Sequence, residues 1–347
     1  MRRGGAPSAG VVLIRKCRNA KPAGRACNDI GMPQEDKIMD QDKTSLKGIA
    51  GVYSPTITAF HADGCINPGG TRQFVRFLLD HGVHGLAPLG SGGEPVAMTT
   101  HERMQIMEAI VEETNGQVPI LAGTGDYSTA TTIELSLHAR SLGCRGLMII
   151  TPYLMIPPKK DVLNHFRRVR EKVGLPIMVY NVPFTTGIEI TPEELKAWAD
   201  EDVIHGVKWS HAEVNRIHNT RYLCGPDFPV FAGNDLIAFE GMAVGAQGWI
   251  SGVPMMVPGL AAQLYQLLAV KGKLEAARDL WYRILPLVRL EFGAAPSGDW
   301  NPHIISVVRE AALMRGIPVG SSRLPLSPID PPAREELRKI LVSLGEL

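Results

Sequence analysis

The chain has 347 residues, 45% of them hydrophobic and 20% charged, with 36 basic side chains against 35 acidic ones for a formal net charge of +1. That is enough apolar material to bury a sizeable core, which excludes a globally disordered chain, and the near-zero charge argues against a protein built to hold nucleic acid. No apolar run approaches the roughly 20 residues that span a bilayer, and five scattered cysteines without a CxxC spacing (Cys17, Cys27, Cys65, Cys144, Cys224) fit reduced cytoplasmic thiols better than a disulfide framework.

The neutral total is a cancellation. Residues 1–28 carry Arg2, Arg3, Arg15, Lys16, Arg18, Lys21 and Arg25 and no acidic group; taking these seven from 36 leaves 29 basic against 35 acidic side chains, a net of −6 for the rest. The stretch is rich in Gly, Ala and Pro, and its one apolar run, 11–14, is too short for a signal-peptide core. Residues 1–46 are therefore expected to be a disordered basic leader, or an extension ahead of a later start at Met32 or Met39. A transit peptide is the further option.

From residue 48 the chain becomes regular. Short β-rich runs at 51–58, 85–89, 118–122, 146–151, 176–180, 204–208, 230–232 and 248–250 alternate with helical periods at about 68–81, 99–115, 128–142, 160–173, 191–200, 211–223, 235–245 and 257–271. Two helix starts are well punctuated. Thr99-Thr100-His101-Glu102 has capping-box spacing, and Thr191-Pro192-Glu193-Glu194 repeats it with proline at the first helical position. Behind the first cap, Met104, Met107, Ile110 and Val111 predict one buried face. Eight strand–helix units predict an α/β (β/α)8 TIM barrel over residues 47–272. A doubly wound sheet would carry a phosphate loop or dinucleotide fingerprint after an early strand, and neither is present. Helical patterns around 273–292, 300–315 and 331–345 predict a C-terminal helical extension over 273–347.

In such barrels chemistry sits where strands end. The strand ends read Gly90-Ser91-Gly92-Gly93-Glu94, Gly123-Thr124-Gly125-Asp126, Thr151-Pro152-Tyr153, Tyr180-Asn181-Val182-Pro183, Gly206-Val207-Lys208-Trp209-Ser210, Gly233-Asn234-Asp235 and Ser251-Gly252. Lys208 closes an apolar strand pattern. A buried ammonium tends to lose its proton, and a neutral amine attacks ketones to give an imine, an electron sink for C–C cleavage. The plainer reading is a lysine snorkelling at a strand end or paired with a carboxylate. Tyr180, ending the neighbouring strand, could shuttle the protons such chemistry needs, or could simply pack. The glycines of loop 90–93 could converge backbone N–H groups on a carboxylate, or form only a tight turn. No serine-hydrolase elbow, HExxH or paired Cys/His spacing is present, so no metal and no cofactor is expected.

Taken together and in this order, Gly90-Ser91-Gly92-Gly93-Glu94, Tyr180-Asn181-Val182-Pro183 and Gly206-Val207-Lys208 resemble the dihydrodipicolinate synthase / N-acetylneuraminate lyase superfamily over residues 48 to 315. The resemblance implies a (β/α)8 barrel, commonly tetrameric, that binds pyruvate or another 2-oxo acid as a Schiff base, and a homo-oligomer, tetramer or dimer, is expected here. It implies Lys208 as the Schiff-base lysine, Tyr180 as the proton shuttle and Ser91 as a relay hydroxyl. Gly92 and Gly93 would cradle the substrate carboxylate, with Gly92 where the family usually has threonine. Ser210, Asp235, Ser251 and Thr185 would bind the rest of the substrate.

Departures from the family pattern narrow the substrate. Thr185 stands where the dihydrodipicolinate synthases carry an arginine, and Tyr153-Leu154 replaces their tyrosine pair. Leu236 follows Asp235 where sialic acid lyases have a second carboxylate. An aldolase or dehydratase acting on a smaller 2-oxo acid is expected, such as a 2-keto-3-deoxy sugar acid or 4-hydroxy-2-oxoglutarate. A dihydrodipicolinate synthase of lysine biosynthesis and a non-catalytic 2-oxo-acid-binding regulator are the other readings. Whether Phe184, Trp209 and His211 line a distal pocket stays open, with core packing the alternative for Trp209.

Overall fold

A computed structural model describes residues 44–292 and 303–347. The leader reading for residues 1–43 lies outside the described residues. Leu46, at the end of that expected leader, is fully buried.

Eight parallel strands, β1 (Gly51–Pro55), β2 (Gly85–Ala87), β3 (Leu121–Gly123), β4 (Gly146–Ile150), β5 (Ile177–Asn181), β6 (Gly206–Trp209), β7 (Val230–Ala232) and β8 (Gly248–Trp249), run in the order β2-β1-β8-β7-β6-β5-β4-β3. The ring closes through a parallel bridge between Leu86 and Ile120, where the Leu86 N–H donates to the Pro119 carbonyl at 3.0 Å. This is the expected TIM barrel. Each strand is followed by at least one helix, and the described C-terminal helices are Leu274–Glu291, Ile304–Met314 and Pro331–Leu344.

Alternation along the strands divides the core in two. Tyr53, Ala87, Leu121, Met148, Met178, Tyr180 and Phe231 point inward and form one cluster with Leu46 and Ile49. Their neighbours Val52, Leu86, Ala122, Leu147, Val179, Val207 and Trp209 point outward into a larger cluster shared with the helices. Leu46 closes the floor: a Cβ on Gly146, at the start of β4, would lie 2.8 Å from its Cδ2.

Both capping boxes form. Thr99 and Glu102 cap Thr100–Thr114, and Thr191 and Glu194 cap Pro192–Asp200. The buried face of Thr100–Thr114 is rotated from the expected one. Met107 and Ile110 are buried as predicted, but Arg103 and Ile106 share that face while Met104 and Val111 are only part-buried. Arg103 can turn inward because Asp126 and the Gly125 carbonyl receive its guanidinium, at 3.2 and 2.9 Å.

Candidate active site

Register brings the central pair together. Tyr180 of β5 lies directly opposite Lys208 of β6. Because Val207 and Trp209 face the outer layer, Lys208 must face the barrel interior. Both side chains are buried, and the Lys208 Nζ stands 3.8 Å from the centroid of the Tyr180 ring, a cation–π distance. The Tyr180 hydroxyl meets the Ser91 hydroxyl at 3.3 Å. Burial pushes the Tyr180 phenol up, but the Lys208 charge and the Ser91 hydroxyl outweigh it and hold the phenol below its ordinary value. An amine, a phenol of lowered pKa and an exposed hydroxyl thus form a chain running outward toward loop 90–93.

The room for Lys208 comes from a glycine. A Cβ on Gly233, just past β7, would lie 2.7 Å from the Lys208 Cγ and 2.4 Å from the Ser210 Oγ. Any larger residue would displace the lysine stem. Ser210 is buried beside it and donates to the Gly233 carbonyl at 2.7 Å.

Residues 48–344 match the pattern of the Dihydrodipicolinate synthetase family. The chain belongs to that family. Among its relatives, the 4-hydroxy-tetrahydrodipicolinate synthase of Methanococcus vannielii is 33% identical over 298 residues, covering 86% of this chain and 99% of that protein. Two solved structures superpose with a TM-score of 0.79 at 30% identity, each covering 86% of this chain and 99% of its own. One is the dihydrodipicolinate synthase of Thermotoga maritima. The other is a prophage protein of E. coli K12 from the same family, solved in complex with pyruvate. The chain is a lyase of the class I aldolase type.

Family membership gives the remaining positions their context. Ser91–Gly93 forms a single 3-10 turn. A Cβ on Gly92 would lie 3.1 Å from the Cε of Met255, so the methionine from the segment after β8 occupies part of the space a threonine would need. The Gly93 carbonyl accepts from the Thr58 hydroxyl at 2.7 Å, and the Gly93 N–H, expected to meet the substrate carboxylate, donates instead to the Gly90 carbonyl at 2.9 Å, so the turn itself uses that amide. Asn181 serves the scaffold: its side-chain amide donates to Ile190 O at 2.7 Å and its carbonyl accepts from Ile190 N at 3.3 Å, pinning the loop after β5.

The other expected substrate contacts differ in their surroundings. Asp235 is fully buried, and both of its oxygens are occupied. Oδ1 accepts from Trp249 Nε1 at 2.8 Å, and Oδ2 accepts from the Gly252 and Val253 N–H groups at 2.9 and 3.4 Å. Behind Gly252 lies Glu291, whose Oε1 sits 2.1 Å from where a Gly252 Cβ would be. Burial raises the Asp235 carboxyl against the hydrogen bonds it accepts, and burial followed by the Asp235 charge pushes Glu291 well up. Ser251 is part-buried, with its hydroxyl 3.5 Å from the Gly233 carbonyl. Thr185 and Phe184 are exposed on the short helix Pro183–Thr186. Trp209 is in the outer core, donating from Nε1 to the Thr220 hydroxyl at 3.0 Å.

Sequence reasoning assigned no role to Gly233 or Asn181. A signal for the first was available: a glycine at an inward alternation position beside a lysine-bearing strand marks space kept for a side chain. Among the described residues no group of three or more His, Cys, Asp or Glu side chains is arranged to hold a metal ion, and no helix is long and apolar enough to cross a membrane.

Proposed function

We propose that this lyase forms an imine between Lys208 and a pyruvate-derived 2-oxo acid and catalyses its aldol cleavage or dehydration. A 2-keto-3-deoxy sugar acid or 4-hydroxy-2-oxoglutarate is the substrate class. The observation that carries the reading is the buried Lys208–Tyr180 pair with Ser91 on its outer side. The pyruvate complex of the E. coli relative supports the 2-oxo acid.

In this reading the Lys208 amine, once it has given up its proton, attacks C2 of the ketone, while Ser91 and the Gly92 amide hold the C1 carboxylate. Tyr180 protonates the departing carbinolamine hydroxyl, which leaves as water. The phenolate then takes the proton of the C4 hydroxyl. The C3–C4 bond breaks, its electron pair neutralises the iminium as an enamine, and an aldehyde departs. Protonation at C3 and hydrolysis release pyruvate and the free lysine. In a dehydratase, the C3 proton is removed instead and the leaving hydroxide departs from C4. Holding the Tyr180 phenol below its ordinary value eases its loss and recovery of a proton, as both directions require.

A second reading, 4-hydroxy-tetrahydrodipicolinate synthesis from pyruvate and aspartate semialdehyde, is favoured by the name of the Methanococcus vannielii relative. Thr185 in place of an arginine, and Leu154 in place of a second tyrosine, count against it. We also propose a cytoplasmic dimer or tetramer. Leu154, Met155, Ile156 and Phe184 form exposed apolar surface beside the mouth, of the kind a second copy covers.

A panel of 2-oxo acids assayed for pyruvate release decides between the two readings. Release from a short 4-hydroxy-2-oxo acid, without pyruvate consumption in the presence of aspartate semialdehyde, is expected. The reverse pattern would establish the synthase.

A further inference from the structure

We propose that Arg309, on the C-terminal helix Ile304–Met314, is a positioning residue that holds loop 90–94 in its substrate-binding shape and neutralises Glu94 beside it. The proposal rests on the reading that this loop receives the substrate carboxylate.

All five N–H donors of the Arg309 guanidinium are used. Nε donates to the Ser322 hydroxyl at 3.2 Å, and Nη1 to the Val319 and Gly320 carbonyls at 2.7 and 3.3 Å. Nη2 donates to the Thr58 carbonyl at 3.0 Å and to the Glu94 carboxylate. Ser322 donates to the same Glu94 oxygen at 3.1 Å. Both charged partners are 3% exposed.

The other groups tie this cluster to the substrate loop. Thr58, whose carbonyl Arg309 holds, gives its hydroxyl to the Gly93 carbonyl at 2.7 Å. Glu94 follows Gly93 directly, and its N–H donates to the Ser91 carbonyl at 3.1 Å. Its backbone lies at φ 55°, a left-handed conformation that a non-glycine residue keeps only where its surroundings fix it. Arg309 and Ser322 are what fix it here. The docking of 319–322 is itself tight. Phe60 N donates to the Val319 carbonyl at 3.0 Å, and a Cβ on Gly320 would lie 2.0 Å from the Phe60 carbonyl oxygen.

Geometry and charge act in the same direction. Glu94 lies two residues past Gly92, so an uncompensated carboxylate there would repel a substrate carboxylate bound by the loop. Removing the guanidinium would leave that charge buried and release the loop's backbone together.

The test measures how the rate of borohydride trapping with pyruvate saturates in the full-length wild type, Arg309→Lys and Ser322→Ala, alongside Tm and the maximal trapping rate. Lysine keeps the charge but loses the fork. For Arg309→Lys the half-saturating pyruvate concentration is expected to rise about tenfold, with a smaller fall in maximal rate, as expected for a misplaced binding loop. For Ser322→Ala a rise of about threefold is expected from the lost hydrogen bond. A purely structural clamp would lower Tm and leave half-saturation of the folded enzyme unchanged, and that result would overturn the proposal. If Arg309→Lys does not fold, Ser322→Ala decides alone by the same criterion. Wild-type enzyme that is never trapped would remove the 2-oxo-acid reading and this proposal with it, whereas normal wild-type trapping with unshifted variants removes this proposal only.

Discussion

Two neighbouring strand ends of the barrel carry ionisable groups, and they use them in opposite ways. At β6 the strand alternation turns Lys208 inward, opposite Tyr180, and a glycine just past β7 leaves space for its stem. Just past β7, Asp235 is also fully buried, but it accepts from Trp249 and from the backbone after β8, with Glu291 close by. One end presents the amine proposed as the nucleophile, and the other fastens the segment after β8 in place. Proximity to a strand's C-terminal end is therefore only half of a site prediction. The side chain must also face the interior, with its polar atoms not already committed.

Substitutions at the two ends should separate these roles. Lys208→Met is expected to lower kcat/KM at least about a thousandfold, through loss of the covalent step. Its Tm should stay near or above the wild-type value, because a buried amine is replaced by an apolar chain of similar size. Asp235→Ala should do the reverse, lowering Tm by several degrees while the folded fraction keeps most of its trapping rate. Parallel activity and melting measurements decide it, and a large activity loss in Asp235→Ala at unchanged Tm would join the two ends into one site.

Gly233→Ala is the next largest effect. The added methyl would overlap the Lys208 Cγ and the Ser210 hydroxyl. Trapping by pyruvate should slow by about one to two orders of magnitude, the cost of a misplaced reacting group. The same change at Gly82, which has open space around it but a positive φ, should alter stability alone.

The carboxyl pair gives the comparison a pH dependence. Glu291 is raised above its ordinary 4.5 in the folded protein, so its contribution to stability is fully present below that value and is lost as pH rises through the folded-state pKa. Glu291→Gln removes that loss. Its Tm should exceed that of the wild type at neutral and alkaline pH, and the gap should close toward pH 4 to 5. Thermal melts across the pH range check this, and a constant offset at every pH would contradict it.

The smallest effect is expected at Gly92→Ala. Met255 is flexible and has to give by only a few tenths of an ångström. Pyruvate half-saturation should change less than about threefold, in keeping with an amide rather than a side chain doing the binding there.

Local punctuation made much of the fold legible. Thr99, Glu102, Thr191 and Glu194 marked two helix starts through bonds formed within four residues, and the eight alternating units gave the barrel. The placement of Lys208 and Tyr180 followed from strand alternation. What the sequence could not convey depended on distant partners. Arg103 faces inward because Asp126 meets it, and Asp235 turns away because Trp249 and Gly252 receive it. Arg309 reaches loop 90–94 from more than two hundred residues along the chain. No local pattern announces such a partner, since a buried charge is legible only once its counterion is placed.

Everything proposed for the barrel mouth depends on Lys208 as the covalent attachment point for a 2-oxo acid. The most direct test is to incubate the protein with pyruvate and borohydride, then locate the modified residue by peptide mass spectrometry. One reduced pyruvyl adduct per chain is expected, on Lys208 and absent from Lys208→Met. An unmodified protein, or an adduct on another lysine that persists in Lys208→Met, would contradict it.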